Sequence, residues 1–421
     1  MYAIIRLAAK ELRKKKKYTL LLFFVCLIAM YLVITAATNA SGAICQQREF
    51  EKSIAIDMER VLHLYYDRTK ETDEFAGTLE DFRGEVKNLP GVKSIGRFDL
   101  KGMYFSELRD SEAYAETNGK IVKGGKYRTH PDIARLLRAD ESILPLVQGG
   151  ISRYDDRNSG NFPVYVSEVF AEVLPKGTVI TDEYTGERYE VSGYFAKGSR
   201  WVEENDLIRF PMVSMDGWFV APFSEKSEKD IMTQLSCLHN TYLLLEKDAD
   251  VNRLKVEISK CAEKYGFAVR AVVLAEEYKE YCMETKALTD RQIWLAVFLT
   301  AMAVSAVVAV FTTDALLKRR QYGILLANGW SLREILLAVG TEIAILVLGA
   351  AMLSWLAKLV MLLRSTDLFR DVLVLAHSKY TLPVAVLAAV AIICFAVIIP
   401  AVKIQGYKPA MLIGGNGNGN D

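Results

Sequence analysis

Residues 18–40 read YTLLLFFVCLIAMYLVITAATNA, an almost wholly apolar run bounded upstream by Lys14 to Lys17 and downstream by Ser41. An α-helix rises 1.5 Å per residue, so about 20 such residues cross a hydrocarbon core of about 30 Å. This run is a membrane span. The alternative is a cleaved signal peptide, with its Lys-rich start and the small residues of Thr35 to Ala43. That reading needs an apolar stretch of about 7 to 15 residues, and this one is too long. Further apolar runs occupy Ile293 to Leu317, Ile335 to Leu363 and Thr381 to Val402. Each can cross once with some tilt. Between Ser41 and Arg291 no comparable run occurs, and Tyr, Gly, Pro and charged residues recur as in a soluble globular domain.

The 421 residues are 51% hydrophobic with a formal charge of +1, so local distribution carries the information. Near-neutral charge argues against nucleic acid as a partner, since phosphate binding needs clustered Lys and Arg. The positive clusters that do occur sit at span ends: Arg6, Lys10, Arg13 and Lys14 to Lys17 before the first, Lys318, Arg319, Arg320 and Arg333 between the second and third, Lys403 and Lys408 after the fourth. By the positive-inside rule all three lie in the cytosol, with both termini. Arg364, Arg370 and Lys379 partly oppose this, but Asp367 and Asp371 stand among them. The expected order is a cytosolic amphipathic elbow helix (1–17), span one (18–40) and an extracytoplasmic domain (41–291). Span two (293–317), a cytosolic segment (318–334), span three (335–363), span four (381–402) and a cytosolic tail (403–421) follow. The protein is thus expected in the cell membrane as a multi-pass chain.

Within the external domain the periodicity predicts a split α+β arrangement. A strand at Val61 to Tyr66, a helix opened by the capping signal Thr78-Leu79-Glu80-Asp81 and reaching Asn88, and a strand at Val92 to Phe98 form one β-α-β unit. Strand Thr241 to Leu245, helix Ala249 to Tyr265 and strand Ala268 to Val273 form another, a ferredoxin-like rhythm. Short strands at Phe162 to Val166, Thr178 to Thr181, Arg188 to Tyr194 and Trp218 to Ala221 make an inserted, mainly β subdomain at about 160–230. The flanking parts, about 50–110 and 235–280, close around it. Of six cysteines, Cys45, Cys237, Cys261 and Cys282 fall in this external domain, where oxidation is possible. Cys45 with Cys282, beside the two stalks, and Cys237 with Cys261 are candidate disulfides; unpaired small apolar side chains are the other reading.

Catalytic chemistry finds no foothold. There is no GxxxxGK[ST] loop, the Gly-rich tail Gly414 to Asp421 has no Lys, and His63, His130, His239 and His377 are scattered without HExxH spacing. Asp155-Asp156 and Glu203-Glu204 are sequence neighbours whose side chains diverge. The chain is expected to bind no cofactor or metal of its own and to be no enzyme. More informative is Arg320 to Arg333, where Tyr322, Leu325, Leu326 and Trp330 recur at helical spacing and put an apolar, aromatic face on a charged helix. Such a face either docks into a partner's groove or lies on the membrane surface. Residues 2–13 also alternate apolar and basic side chains at helical spacing, suiting the inner leaflet or a partner equally. Glu342, about two turns inside span three, is costly in lipid and is expected to turn inward toward another helix.

Three stretches together carry a resemblance. Residues 318–335, KRRQYGILLANGWSLREI, resemble the signature between spans two and three of the FtsX-like and MacB-like permeases of ABC transporters. Residues 79–98, with Leu-Pro-Gly-Val at 89–92, resemble the opening of that family's external domain, and 164–180 with 189–194 resemble the inserted β subdomain of MacB-like members. Gln321-Tyr322 departs from the family's Glu and aliphatic pair, so a salt bridge common there is missing. The resemblance implies that 318–334 is a coupling helix docking into a separate ABC ATPase subunit, where ATP and Mg would bind. It implicates Gly323, Leu325, Gly329 and Trp330; a Gly at 329 accepts positive φ at no steric cost. A second permease copy or homologue, membrane lipid and an adaptor protein complete the implied partners. The implied function is mechanotransmission: closing of the ATPases moves the external domains through stalks at Ser41 to Lys52 and Glu276 to Arg291, exporting peptides, lipoproteins or amphiphilic antimicrobials. Two other readings stand beside it: an FtsX-type scaffold regulating a cell-wall hydrolase without transport, disfavoured by the large external domain, and a membrane-anchored sensor.

Overall fold

The computed structural model describes residues 2–68, 75–122, 130, 132–147, 151–156, 160–202, 212–365 and 370–405. In chain order it contains α1 (Tyr2–Lys14), α2 (Lys16–Ser53), β1 (Val61–Arg68), α3 (Phe75–Lys87), β2 (Val92–Met103), α4 (Ser106–Arg109), α5 (Glu112–Val122), β3 (Ala134–Ala139), β4 (Phe162–Ser167) and β5 (Val179–Thr181). There follow β6 (Arg188–Phe195), β7 (Arg200–Val202), β8 (Met212–Ser214), β9 (Trp218–Ala221), α6 (Glu225–Lys229), α7 (Ile231–Cys237), β10 (Thr241–Leu245), α8 (Val251–Lys264) and β11 (Ala268–Val273). The chain ends with α9 (Leu274–Leu317), α10 (Arg319–Ala327), α11 (Leu332–Arg364), α12 (Arg370–Ala376) and α13 (Leu382–Gln405). Two compact units result among the described residues: a helical one built from residues 2–45, 285–365 and 370–405, and a sheet unit built on those between 46 and 284.

Among the described residues four helices are long and apolar enough to cross a membrane: Lys16–Ser53, Leu274–Leu317, Leu332–Arg364 and Arg370–Ile399. The first is longer than the apolar run that announced it, ending at Ser53 rather than Ala40, and the second starts at Leu274 rather than Ile293. The added residues are rich in Glu, Lys, Gln, Ala and Met, good helix formers that need no lipid to stay helical. In the fourth, helix begins at Arg370, and a wide π turn at His377–Thr381 precedes α13. Within the helical unit Leu22, Met30, Ile34, Val307, Ile343, Val347 and Ile392 form one core. Several polar side chains there are hydrogen-bonded to a neighbouring helix, which spares them the cost of an unpaired polar group in an apolar setting. Ser354 Oγ donates to the Leu27 carbonyl at 2.9 Å, and His377 sits between Thr38 Oγ1 (2.9 Å from Nδ1) and the Trp355 carbonyl (3.2 Å from Nε2).

The sheet unit carries a nine-stranded sheet in the order β11-β1-β10-β2-β3-β9-β4-β6-β5. Its first four strands are mutually antiparallel with α3 and α8 as the crossovers, the ferredoxin-like order 4-1-3-2 in their own sequence numbering. Leu62, Leu64, Leu243 and Leu245 face Leu79, Phe82 and Val86 of α3 and Leu254 and Ile258 of α8. Helix α3 begins by Phe75, so Thr78 lies inside it and does not cap it. Helix α8 opens at Val251 because Asp250 caps it, accepting from the Arg253 amide at 3.1 Å.

Strand β2 outruns its expected end at Phe98 because it serves two partners: residues 92–97 pair with β10, and Phe98 to Met103 pair antiparallel with β3. The inserted β part is therefore sewn onto the ferredoxin-like part through one strand. Beyond it β9 runs parallel to β3, and β4 is antiparallel to β9 and parallel to β6. In this unit the last turns of α2 and the first of α9 enter the core: Phe50, 1% exposed, stacks on Tyr278 with ring centroids 4.8 Å apart. Both belong to one cluster with Phe98, Trp201, Trp218 and Leu244.

Candidate functional site: the segment between the second and third long helices

Helix α9 ends at Leu317, and Lys318 turns the chain into α10, whose first amides have no side-chain cap. The segment closes at Asn328, where Gly329 adopts φ +86° with nothing within 4 Å of a would-be Cβ. Only backbone strain, not crowding, reserves that position for Gly. Ser331 then starts α11 through a reciprocal capping box: its backbone amide donates to Glu334 Oε2 at 2.7 Å and its Oγ accepts from the Glu334 amide at 3.3 Å. The sequence Asn-Gly-Trp-Ser-Leu-Arg-Glu thus holds a stop at Asn328 and a start at Ser331, three residues apart.

The apolar side chains of this segment pack against the chain itself. Tyr322 and Gly323 are buried, while Leu325, Leu326 and Trp330 are half-buried against the core of the helical unit. Burial pushes the Tyr322 hydroxyl up to about 12. What α10 leaves outward is Arg319, Arg320, Gln321, Ile324, Ala327 and Asn328, followed by Gly329. Ile324 is 50% exposed, an aliphatic side chain presented between two arginines and a tight turn.

Beneath α10 lies an ion cluster that ties three helices. Lys318 Nζ is 2.9 Å from Glu11 Oε2 of α1 and 2.9 Å from Asp314 Oδ2 of α9. Lys14 adds a 2.7 Å contact to Glu11, and Lys15 pairs with Asp314. Burial works to raise the Glu11 carboxyl, but hydrogen bonds from Lys14 and Lys318 outweigh it and hold it below the usual value. Lys15 is lowered by burial and by the nearby Lys318. The lysines before the first span therefore do more than meet headgroups. The pair Asp314 and Lys318 is visible in sequence as an i, i+4 spacing; nothing local announces Glu11 as its third member.

Glu342 does turn inward, at 6% exposed. No described residue hydrogen-bonds or ion-pairs with it. Cys45, Cys237, Cys261 and Cys282 are all free thiols, so neither candidate disulfide is formed. Cys261 packs in the core under α8. Cys237 is buried on α7, and burial pushes its thiol up to about 12. Among the described residues no group of three or more His, Cys, Asp or Glu is arranged to hold a metal. Asp155 and Asp156 are exposed; Glu203, Glu204, Lys408 and the tail from Gly414 lie outside the described residues.

The fold is similar to the periplasmic region of MacB and the extracellular domain of YknZ. The periplasmic region of MacB from Actinobacillus actinomycetemcomitans matches with a TM-score of 0.32 and 10% identity, covering 53% of this chain and 92% of that one. The extracellular domain of the noncanonic ABC-type transporter YknZ from Gram-positive bacteria matches with a TM-score of 0.31 and 13% identity, covering 50% of this chain and 99% of that one. No family model and no curated protein sequence matches the chain.

Proposed function

We propose that the chain is the permease subunit of an ABC-type exporter, worked by a separate ATPase that docks on α10. The observation that carries this reading is the division of labour on that helix. One side is fixed to the chain's own core by Tyr322, Leu325, Leu326 and Trp330, and the other presents Arg319, Arg320, Ile324 and the Gly329 turn. A short helix packed against the core from behind and left basic and aliphatic in front is built to receive a push. An interfacial helix would instead turn its apolar side to lipid.

The route of the push follows from the same elements. Residues 16–45 of α2 and 285–317 of α9 belong to the helical unit, and 46–53 and 274–284 to the sheet unit. The two helices are joined in each: Asn39 Nδ2 donates to Gln292 Oε1 at 2.8 Å, and Phe50 stacks on Tyr278. In this reading Lys318 links α10 to α9, and α9 with α2 carries the displacement to an external domain that acts on peptides, lipoproteins or amphiphilic toxins. Two copies of the permease would pair symmetrically, as identical subunits commonly do.

The test is co-purification of the full chain with candidate ABC ATPases, and ATP turnover in lipid nanodiscs, for wild type and Ile324→Asp. Ile324 is chosen because it is exposed, so its loss should leave the fold intact. The proposal predicts an ATPase retained by wild type and lost at least tenfold in the variant. Equal retention by both would move the docking surface elsewhere, and no retention by either would favour the anchored-sensor reading.

A further inference from the structure

Next to the ion cluster, between α1, α2, α9 and α11, the helical unit carries a cleft of about 430 Å³ that opens to the surface beside Tyr18 and Leu317. Its walls are mostly apolar, with Leu22, Val310, Phe311 and Leu346 among them, and Glu342 lines it. Charge is unevenly settled around this space. Glu11 and Asp314 are served by Lys14, Lys15 and Lys318, each of the two acids touching two of the three lysines. Lys318 and Lys15 act on Glu342 only through space, beyond ion-pair distance, and Glu342, more than nine-tenths buried, has no hydrogen-bonding or ion-pairing partner among the described residues. A carboxylate buried without a partner is costly, and the cost is relieved by whatever brings a donor or a cation to it.

We infer that this cleft binds a cationic amphiphile, its ammonium group against Glu342 and its hydrocarbon chain along Leu22, Val310, Phe311 and Leu346. The shape of the demand fixes the class. A bare cation would leave the apolar walls unfilled, a neutral lipid would leave Glu342 unpaired, and an anionic one would add a charge beside three carboxylates. The site lies at the end of the long helices that carries α1 and α10, so in the proposed orientation its ligand comes from the inner leaflet. Occupancy would bear on the joint where Glu11, Asp314 and Lys318 meet, because Glu11 and Asp314 also line the cleft. The site stands on its own geometry and would remain if no ATPase docks on α10.

The probe is dodecylamine, compared with dodecanol and dodecyl sulfate, on the full chain in phosphatidylcholine nanodiscs, with the shift in thermal unfolding as one readout. A dodecylamine bearing a chain-terminal diazirine gives the second, with its crosslinks mapped by mass spectrometry. The inference predicts saturable stabilisation by dodecylamine at least tenfold more potent than by dodecanol, with labels on α9 or α11 near Val310, Phe311 or Leu346. Glu342→Gln should reduce dodecylamine potency at least tenfold and leave dodecanol unchanged. Leu346→Trp, which fills the cleft and spares the carboxylate, should abolish labelling there. Equal potency of dodecanol and dodecylamine on wild type overturns the inference, as does unchanged labelling in Leu346→Trp. Stronger binding of dodecyl sulfate would instead mark a site for anionic headgroups through Lys15. The wild-type comparison and the Leu346 variant decide the matter even if Glu342→Gln fails to fold.

Discussion

Phe50→Ala removes the aromatic ring that α2 contributes to the core of the sheet unit. The ring is 1% exposed, stacks on Tyr278 at 4.8 Å, and shares a cluster with Phe98, Trp201 and Trp218. Truncating a buried Phe to Ala costs about 3–5 kcal/mol, transfer and cavity terms together. For a unit of this size each kcal/mol moves the midpoint by about 2–4 °C, so the expected fall is about 6–20 °C. Trp201 and Trp218, 3% and 0% exposed, lie in the perturbed cluster, and a red shift of their emission reports its opening. The assay is thermal unfolding of the full chain in nanodiscs followed by tryptophan emission, with Phe50→Leu as an intermediate case. A fall below about 2 °C for the Ala variant, on the same scale, would mean that the α2 end is not packed in this core.

Three further outcomes follow from the geometry. Glu11 is held below its ordinary value of 4.5 in the folded chain, so its contribution to seating α1 is present above that pH and lost as pH falls through the lowered folded value. Hydrogen exchange of residues 2–14, corrected for intrinsic rates, should rise at pH 3.5 relative to pH 5.5, and Glu11→Gln should remove the difference. Gly329→Ala should destabilise the α10–α11 turn by about 1–2 kcal/mol through strain alone, seen as faster exchange at residues 328–331 with no loss elsewhere. Asp99, 1% exposed, lies 4.0 Å from the Arg138 guanidinium and 3.5 Å from Lys101 Nζ and accepts from Ser236 Oγ, so Arg138→Leu removes one of three partners and should cost about 1–3 kcal/mol in the same tryptophan unfolding assay, whereas a loss under about 0.5 kcal/mol would show that Lys101 and Ser236 suffice.

Much of this architecture is written locally. The four long apolar runs declare themselves by length, and strands such as Thr241–Leu245 and Trp218–Ala221 appear at their expected bounds because their alternation or β-branched content has no competing reading. Strand β3 has no local signal. Its Ala-Arg-Leu-Leu-Arg-Ala stretch reads as helix-prone and charged, and it becomes a strand only because β2 and β9 flank it and Asp99 pairs with Arg138. The second half of β2 is hidden for the same reason, since Asp99 and Lys101 look solvated until their partners are known. In the candidate site, periodicity correctly put Tyr322, Leu325, Leu326 and Trp330 on one face but could not say what that face touches. The structure turns it inward and leaves Ile324 and the arginines outward. The Glu11, Asp314 and Lys318 cluster joins residues more than 300 positions apart, and no local pattern encodes that.

The most direct test of the account is hydrogen exchange of residues 46–53 and 274–284 in the full chain, in nanodiscs with an ABC ATPase that co-purifies with it, with and without ATP trapped by vanadate. If α2 and α9 transmit ATPase closure, protection of both segments changes on trapping, and Ile324→Asp abolishes the change. Unaltered protection in a complex that hydrolyses ATP would contradict transmission through these helices.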